Sequence, residues 1–155
     1  MTDETLSSLG GAPDTEMLHA TTVAIGDRAV LIVGRSGSGK SDLALRLIDR
    51  GAVLVSDDYT EVFRSGDEVY ARPPETIAGR IEIRGVGVTE IAYITDIRVG
   101  LCVMLDEVVE RMPMQYRSST IAGIEVPIFA VDPFHASAAI KVEIALQRRA
   151  DVDGG

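Results

Sequence analysis

Residues 28–41 read RAVLIVGRSGSGKS, an apolar run followed by a loop with three glycines and then by a lysine and a serine. The apolar run Ala29–Val33 is typical of a buried strand. A Gly-Asp pair separates it from a second apolar run, Thr21–Ile25, as in a β-hairpin. Downstream, Lys40–Arg50 places leucines at mostly helical spacing and stops at Gly51, which predicts an α-helix. The stretch therefore predicts a hairpin, a glycine-rich loop and a helix in succession.

Further apolar runs alternate with turn residues along the rest of the chain. They predict strands at Ala52–Ser56, Glu61–Arg64, Glu68–Ala71, Arg80–Ile83, Val99–Leu105 and Ile124–Val131, and a helix at Phe134–Ala150. Strands outnumber helices and hairpins recur, so the predicted class is α/β with a mixed sheet around the glycine-rich loop. Residues 1–16 and 151–155 are predicted flexible tails, which leaves residues 17–150 as one domain.

Charge and composition exclude several classes of protein. The chain has 155 residues, 46% of them hydrophobic, and a net charge of −9, which argues against a nucleic-acid or anionic-membrane binder. Setting aside the six acidic residues of the two predicted tails leaves 18 acidic and 15 basic residues in 17–150, a net charge of −3. The net negative charge of the predicted domain itself is therefore small.

The single cysteine and the absence of targeting patterns indicate the compartment. Cys102 lies in the apolar run Val99–Leu105 and has no second cysteine to pair with, so we expect a buried strand thiol. No apolar stretch reaches the roughly 18 residues of a membrane span. Residues 1–11 lack the basic and apolar regions of a signal peptide. We expect a soluble, reduced, cytoplasmic protein.

Residues 34–41 match the motif G-x-x-x-x-G-K-[ST]. Glycines let successive backbone N–H groups face one anion, and the helix that follows adds its positive end. In such a loop the lysine reaches the β- and γ-phosphates and the serine hydroxyl coordinates magnesium. The alternative, a glycine turn that binds nothing, is disfavoured by the strand before the motif and the helix after it. The predicted nucleotide-binding residues are Gly34, Arg35, Ser36, Gly37, Ser38, Gly39, Lys40 and Ser41.

Two acidic features follow the motif. Asp57 and Asp58 come directly after the predicted strand Ala52–Ser56, where one carboxylate can serve Mg²⁺ and the other can accept a proton. A solvated Asp-Asp turn is an equally good interpretation of this pair alone. Further on, Glu82 and Arg84 are two residues apart and project to the same face of a strand, where an acid for a metal and an arginine for a phosphate suit phosphoryl transfer; an edge-strand ion pair is the alternative.

The order of these features resembles the catalytic domain of the HPr kinase/phosphorylase family. The resemblance rests on His19 ahead of the hairpin, the motif at 34–41, Arg50-Gly51 leading into residues 54–58, and residues 82–87, which read EIRGVG. It covers about half of the chain well and is weaker beyond Val88. It suggests a short form of the alphaproteobacterial type, with a fold related to that of phosphoenolpyruvate carboxykinase.

The resemblance implies an ATP- and Mg²⁺-dependent kinase that phosphorylates a serine of the phosphocarrier protein HPr of the phosphotransferase system. The implied roles are ATP binding by Lys40 and the loop amides, Mg²⁺ coordination by Ser41 and Glu82, proton transfer by Asp58, an active-site place for His19 and a catalytic arginine at Arg111. Asp57 is the further candidate metal ligand. The resemblance also implies a homo-oligomer, a hexamer.

One departure bears on the reverse reaction. Longer members of the family carry a basic loop before the last helix that is tied to phosphorolysis of the phosphoserine. The corresponding residues 131–137 read VDPFHAS and contain no arginine. We therefore expect a kinase and leave its phosphorylase activity open.

Two other functions remain open from the residues. A small-molecule kinase would also use the motif at 34–41, but no arginine-rich lid segment follows it. A nucleotide-sensing module without turnover is the second alternative, and the intact Asp57-Asp58 pair and Glu82 argue against it.

Overall fold

The computed structural model describes residues 14–112 and 117–153. The eleven strands are β1 (Thr15–Leu18), β2 (Ala20–Ile25), β3 (Arg28–Val33), β4 (Val53–Ser56), β5 (Thr60–Ser65), β6 (Glu68–Arg72), β7 (Arg80–Ile83), β8 (Gly87–Glu90), β9 (Ile97–Met104), β10 (Arg117–Ile121) and β11 (Ile124–Ala130). The helices are α1 (Lys40–Asp49), α2 (Ala138–Asp153) and a short 3-10 turn, Glu75–Ile77. None of these helices, within the ranges given, is long and apolar enough to cross a membrane.

Nine of the strands form one mixed sheet. Its path is β1-β5-β6-β9-β3-β2-β4, and β11, with β10 beside it, also pairs with β9. The pairs β3–β9 and β9–β11 are parallel, and the remaining pairs in the sheet are antiparallel. β7 and β8 form a separate antiparallel hairpin. The predicted α/β class with a mixed sheet is confirmed.

The central strands bury both of their faces. Val30 and Ile32 of β3 belong to the core beneath α1 and α2, whereas Ala29 and Leu31 belong to the core on the opposite face. This alternation follows from the two-residue period of a strand, and burial on both faces explains why β3 reads as an unbroken apolar run. β3 therefore gives the loop that follows it a rigid base.

Several boundaries differ from those predicted. β1 begins at Thr15, inside the predicted tail 1–16, and α2 extends to Asp153, beyond the predicted end of the domain at 150. Residues 1–13 lie outside the described part of the chain. β8 and β10 were not predicted, because most of their side chains are exposed and no apolar alternation marks them.

The last helix begins four residues later than its apolar pattern predicts. In its place, residues 132–137 form a turn in which the Phe134 N–H donates to Asp132 Oδ1 at 2.9 Å. Arg46 of α1 donates to the carbonyls of Pro133 and His135. These contacts satisfy the backbone without helical bonds and hold residues 133–135 against α1.

Cys102 is a buried strand thiol, as predicted. It is 4% exposed in β9, and burial raises the pKa of its thiol from 9.0 to about 12. Because the thiolate is the reactive form, we expect a disulfide reagent at pH 8 to modify the native protein at least about a hundredfold more slowly than the unfolded chain. The thiol stabilises the fold below pH 9 and loses this contribution as the pH rises toward 12. Equal rates in native and unfolded samples would contradict the burial, with Cys102→Ala as the blank.

Candidate functional site

The glycine-rich loop, residues 34–39, connects the end of β3 to the first residue of α1. Gly39 has φ 101° directly before the helix, a conformation that favours glycine. A Cβ at Gly34 would lie 2.6 Å from Ser38 Oγ and 3.1 Å from Leu105 Cβ, so the loop folds tightly on itself. The loop and the N-terminus of α1 together provide the backbone geometry that binds phosphate groups in proteins.

Lys40 is folded into this loop. Its side chain donates from Nζ to the carbonyl oxygens of Gly34 at 2.9 Å and Arg35 at 3.1 Å, and the residue is 6% exposed. No carboxylate in residues 14–112 or 117–153 forms an ion pair with it. A buried ammonium without a counter-charge favours an anionic ligand at this position.

Asp57 lies behind the loop, 7% exposed. Its Oδ1 accepts hydrogen bonds from Ser41 Oγ at 2.6 Å and Thr21 Oγ1 at 3.1 Å, and its Oδ2 accepts the Glu82 N–H at 2.9 Å. Three donors satisfy a buried carboxylate that would otherwise be costly to desolvate. The carboxylate therefore joins three separate parts of the chain: β2, α1 and β7.

We expect Asp57→Asn to lower the free energy of unfolding by about 1–3 kcal/mol, since its amide group would face a backbone donor and leave buried groups unpaired. Urea denaturation measures the loss. Asp67→Asn, in the exposed turn between β5 and β6, is the matched control and should change stability by no more than about 0.5 kcal/mol. Equal stabilities of the two variants would contradict the structural role of Asp57.

Asp58 is turned the other way, toward solvent and His19. Its Oδ1 lies 2.8 Å from His19 Nε2, which donates because a carboxylate only accepts. The His19 ring stacks on Tyr59 with centroids 5.1 Å apart. The two adjacent aspartates thus take different directions because β4 ends at Ser56 and Asp58 has φ 71°.

A cleft of about 910 Å³ lies in front of the loop. Its walls come from the loop, α1, Asp58, the β7–β8 hairpin and the turn before α2. The lining residues are Ser36, Gly37, Gly39, Lys40, Ser41, Asp42, Leu45, Arg46, Asp58, Glu82, Ile83, Arg84, Gly85, Val86, Gly87, Pro133 and Phe134. Five of the eight predicted nucleotide-binding residues therefore line one concave surface together with Glu82 and Asp58. Asp57, a predicted metal ligand, and His19 are not among the lining residues and reach this surface through Ser41 and Asp58.

Two arginines of the predicted site are placed differently from expectation. Arg84 lies in the turn after β7, which ends at Ile83, so it does not share a strand face with Glu82, although both line the cleft. Arg111 is exposed and is not among the residues that line the cleft. Before it, Glu107 pairs with Arg117 of β10 at 2.9 Å, which ties this segment to the far hairpin. Pro113, in the motif that suggested Arg111, lies outside the described residues.

Three residues that contribute to the site were not predicted from the sequence. Thr21 bonds to Asp57 and to the Asp58 N–H. Asp106, just beyond β9, accepts the Arg35 N–H at 2.7 Å. Phe134 projects into the cleft opening with 80% of its surface exposed. A signal existed for Thr21, because two consecutive threonines in an otherwise apolar strand call for hydroxyl partners.

The residues present fit a hydrated Mg²⁺ beside phosphates. Ser41, Asp57 and Glu82 offer hydroxyl and carboxylate oxygens, the donor type that Mg²⁺ prefers. No cluster of three histidine, cysteine or acidic side chains suited to a metal occurs among the described residues. Mg²⁺ commonly needs only one or two carboxylates, because water and substrate phosphates complete its shell.

Comparisons with known proteins show which family the chain resembles. The family model "HPr Serine kinase C-terminal domain" matches residues 12–148. The HPr kinase/phosphorylase of Caldicellulosiruptor bescii is 33% identical over 126 residues, which cover 73% of this chain and 40% of that protein. That of Exiguobacterium sp. is 34% identical over 133 residues, covering 77% and 42%. The chain thus spans about two fifths of the length of these curated relatives.

A solved structure extends the similarity to three dimensions. The Hpr(Ser) kinase/phosphatase from Coxiella burnetii superposes with a TM-score of 0.77 at 29% identity, over 90% of this chain and 99% of that chain. The fold described above thus has a counterpart of known family. The chain belongs to the family of the HPr serine kinase C-terminal domain.

Proposed function

We propose that the protein is an ATP-dependent kinase that transfers the γ-phosphoryl group to a serine of an HPr-like phosphocarrier protein. The observation that carries this is the position of the Lys40 ammonium in the glycine-rich loop, on the same cleft as Asp58 with its His19 partner. Membership of the family and the names of the curated relatives support the choice of acceptor.

The loop side of the cleft would bind the nucleotide phosphates. Lys40 would exchange its two carbonyl partners for phosphate oxygens, and the loop N–H groups would donate to the same anion. Ser41, Asp57 and Glu82 would hold Mg²⁺, which neutralises charge on the phosphates when it is bound. Arg84, on the facing hairpin, would add a second cation opposite Lys40.

Asp58 would act on the acceptor. Its carboxylate is more than half exposed, so an incoming serine hydroxyl can reach it. It would accept the hydroxyl proton as the serine oxygen bonds to phosphorus and the bond to the β-phosphate oxygen breaks. His19 would hold the carboxylate in the orientation that faces the cleft.

Phosphorolysis of the phosphoserine remains a separate question within this proposal. The turn at residues 132–137 carries no arginine, and Pro133 and Phe134 line the cleft there. We expect forward transfer to exceed the reverse reaction. Incubation of the phosphorylated carrier with inorganic phosphate, followed by measurement of pyrophosphate, tests this; rapid Mg²⁺-dependent release would contradict it.

The proposal is tested with γ-labelled ATP, Mg²⁺ and purified HPr-like protein, alongside a panel of small hydroxyl acceptors. We expect label on the protein acceptor and none above background on the small molecules. Label on a small molecule alone would support a small-molecule kinase, and tight ATP binding without any transfer would support a sensing module.

We propose that the enzyme acts in the cytoplasm, where ATP is available.

We also propose that the enzyme assembles as a homo-oligomer. The resemblance of residues 19–87 to the family suggests a hexamer. Ile140 and Ile144 on the outer side of α2 are partly exposed and could be covered by another subunit. Light scattering on the purified protein measures the mass; a monomer at working concentrations would contradict the assembly.

A further inference from the structure

Thr21 is a fully buried hydroxyl that contacts both aspartates of the site. It lies in β2, pairs with Ile32 of β3 and is 0% exposed. We propose that Thr21 is the positioning residue that fixes Asp57 and Asp58 in their opposite orientations. The proposal rests on the proposed function, since it assigns these aspartates to the metal side and the acceptor side of one transfer reaction.

The Thr21 hydroxyl acts both as a donor and as an acceptor of hydrogen bonds. Thr21 Oγ1 donates its proton to Asp57 Oδ1 at 3.1 Å and accepts the backbone N–H of Asp58 at 3.0 Å. A threonine hydroxyl has one donor and two acceptor positions, so one atom serves two consecutive residues that directly follow β4. A β-branched side chain on a central strand has little rotational freedom, which makes this a rigid link.

Asp58 depends on its hydrogen bond to Thr21 because its backbone conformation is unfavourable. It has φ 71°, a left-handed conformation that residues other than glycine seldom adopt. The Tyr59 N–H donates to the Asp57 carbonyl at 2.7 Å and closes a tight turn around Asp58. The bond from the Asp58 N–H to Thr21 holds the middle of that turn, and so sets where the carboxylate meets His19.

Asp57 depends on the same atom through its side chain. Its Oδ1 is shared between Thr21 and Ser41. Without the Thr21 hydroxyl, Oδ1 would keep Ser41 and Oδ2 would keep the Glu82 N–H, so the carboxylate would lose one of its three donors and the contact that ties it to β2. Loss of one hydroxyl would therefore disturb the Ser41–Asp57 side and the Asp58–His19 side together.

Thr22 provides a matched control. It is the next residue of β2 and is also 0% exposed, but it faces the opposite side of the sheet, as successive strand residues do. Its hydroxyl bonds to Thr60 Oγ1 at 2.8 Å. Thr22→Val therefore removes a buried hydroxyl from the same strand without touching either aspartate.

The test compares Thr21→Val, Thr21→Ser and Thr22→Val with the wild type in transfer from ATP to an HPr-like protein. We expect Thr21→Val to lower kcat by about tenfold to a hundredfold while KM for the carrier stays within about twofold, as expected when transition-state geometry alone is lost. Thr21→Ser keeps the hydroxyl and should restore kcat to within about threefold of wild type. Thr22→Val should lower the melting temperature by about as much as Thr21→Val does, and its kcat should equal that of the wild type.

Two outcomes overturn the positioning role: a kcat of Thr21→Val within about threefold of wild type, or equal losses in both valine variants. Amide hydrogen exchange at Asp58 separates this proposal from the function on which it rests. If the wild type transfers no phosphate, the proposed kinase function is wrong. The rate of amide hydrogen exchange at Asp58 still shows whether Thr21 holds Asp58 in place. Faster exchange at Asp58 in Thr21→Val than in Thr22→Val supports the link, and unchanged exchange refutes it.

Discussion

Replacing Lys40 by methionine is expected to lower phosphoryl transfer by about a thousandfold, because it removes the cation that neutralises charge developing on the transferred group. Methionine matches the length of much of the lysine side chain and leaves the loop sequence otherwise intact. The Lys40 ammonium is buried and, within residues 14–112 and 117–153, donates to the carbonyls of Gly34 and Arg35 and to no carboxylate, so the substitution also removes a buried charge that has no counter-charge in the described part of the chain. We expect the fold to persist and ATP affinity to fall.

Lys141→Met is the natural control, since the chain has only these two lysines. Lys141 is exposed in the first turn of α2 and does not line the cleft. Initial rates with γ-labelled ATP and melting temperatures should be measured for both variants. If Lys40→Met folded normally and transferred phosphate at the rate of Lys141→Met, the nucleotide site would have to lie elsewhere.

Asp58→Asn is expected to lower kcat by about 10²- to 10⁴-fold, the contribution typical of a positioned general base. An amide is nearly the same size as the carboxylate and tolerates the left-handed backbone of this position, so the turn should be retained. It cannot accept the serine proton. The affinity for Mg²⁺-ATP should change little, because the carboxylate that contacts Ser41 is that of Asp57.

The measurement is a kcat determination at saturating ATP, combined with nucleotide binding by calorimetry. Asp67→Asn, in the exposed β5–β6 turn and outside the residues that line the cleft, removes a carboxylate of the same type and should leave both values unchanged. Loss of ATP binding in Asp58→Asn with an intact fold would move Asp58 from the acceptor side to the nucleotide side of the site.

Local patterns were sufficient to predict the centre of the molecule. The apolar run of β3 and the helical spacing of α1 are short-range features, and the motif between them requires specific residue types at fixed positions. The buried thiol of Cys102 followed from the same kind of apolar run. The predictions of β3, of α1 and of the buried thiol were confirmed because each depends on neighbours within a few residues.

Predictions that depend on distant partners were less complete. The orientation of Asp57 is set by Thr21, Ser41 and the Glu82 N–H, which come from three other elements, and no spacing rule connects them. Polar edge strands such as β10 carry no alternation because they bury little surface. The late start of α2 is decided by Asp132 and by Arg46 on another helix. Tertiary contacts, rather than propensity, decide such features.

The placement of arginine shows the same limit. The family resemblance indicated Arg111 in a segment where similarity is weak, whereas Arg84 lines the cleft because it directly follows β7, which packs against α1. A turn residue between two short strands gives no pattern that would assign it to a phosphate.

We propose that Lys40 and Asp58 act in one reaction, the transfer of the γ-phosphoryl group from ATP to a protein serine. The most direct measurement is incubation of the purified protein with ATP, Mg²⁺ and an HPr-like carrier, followed by mass-spectrometric mapping of the modified carrier residue. We predict a single phosphoserine that forms with the wild type and is lost with Lys40→Met. An unmodified carrier, or phosphate on a residue other than serine, would contradict the proposed function.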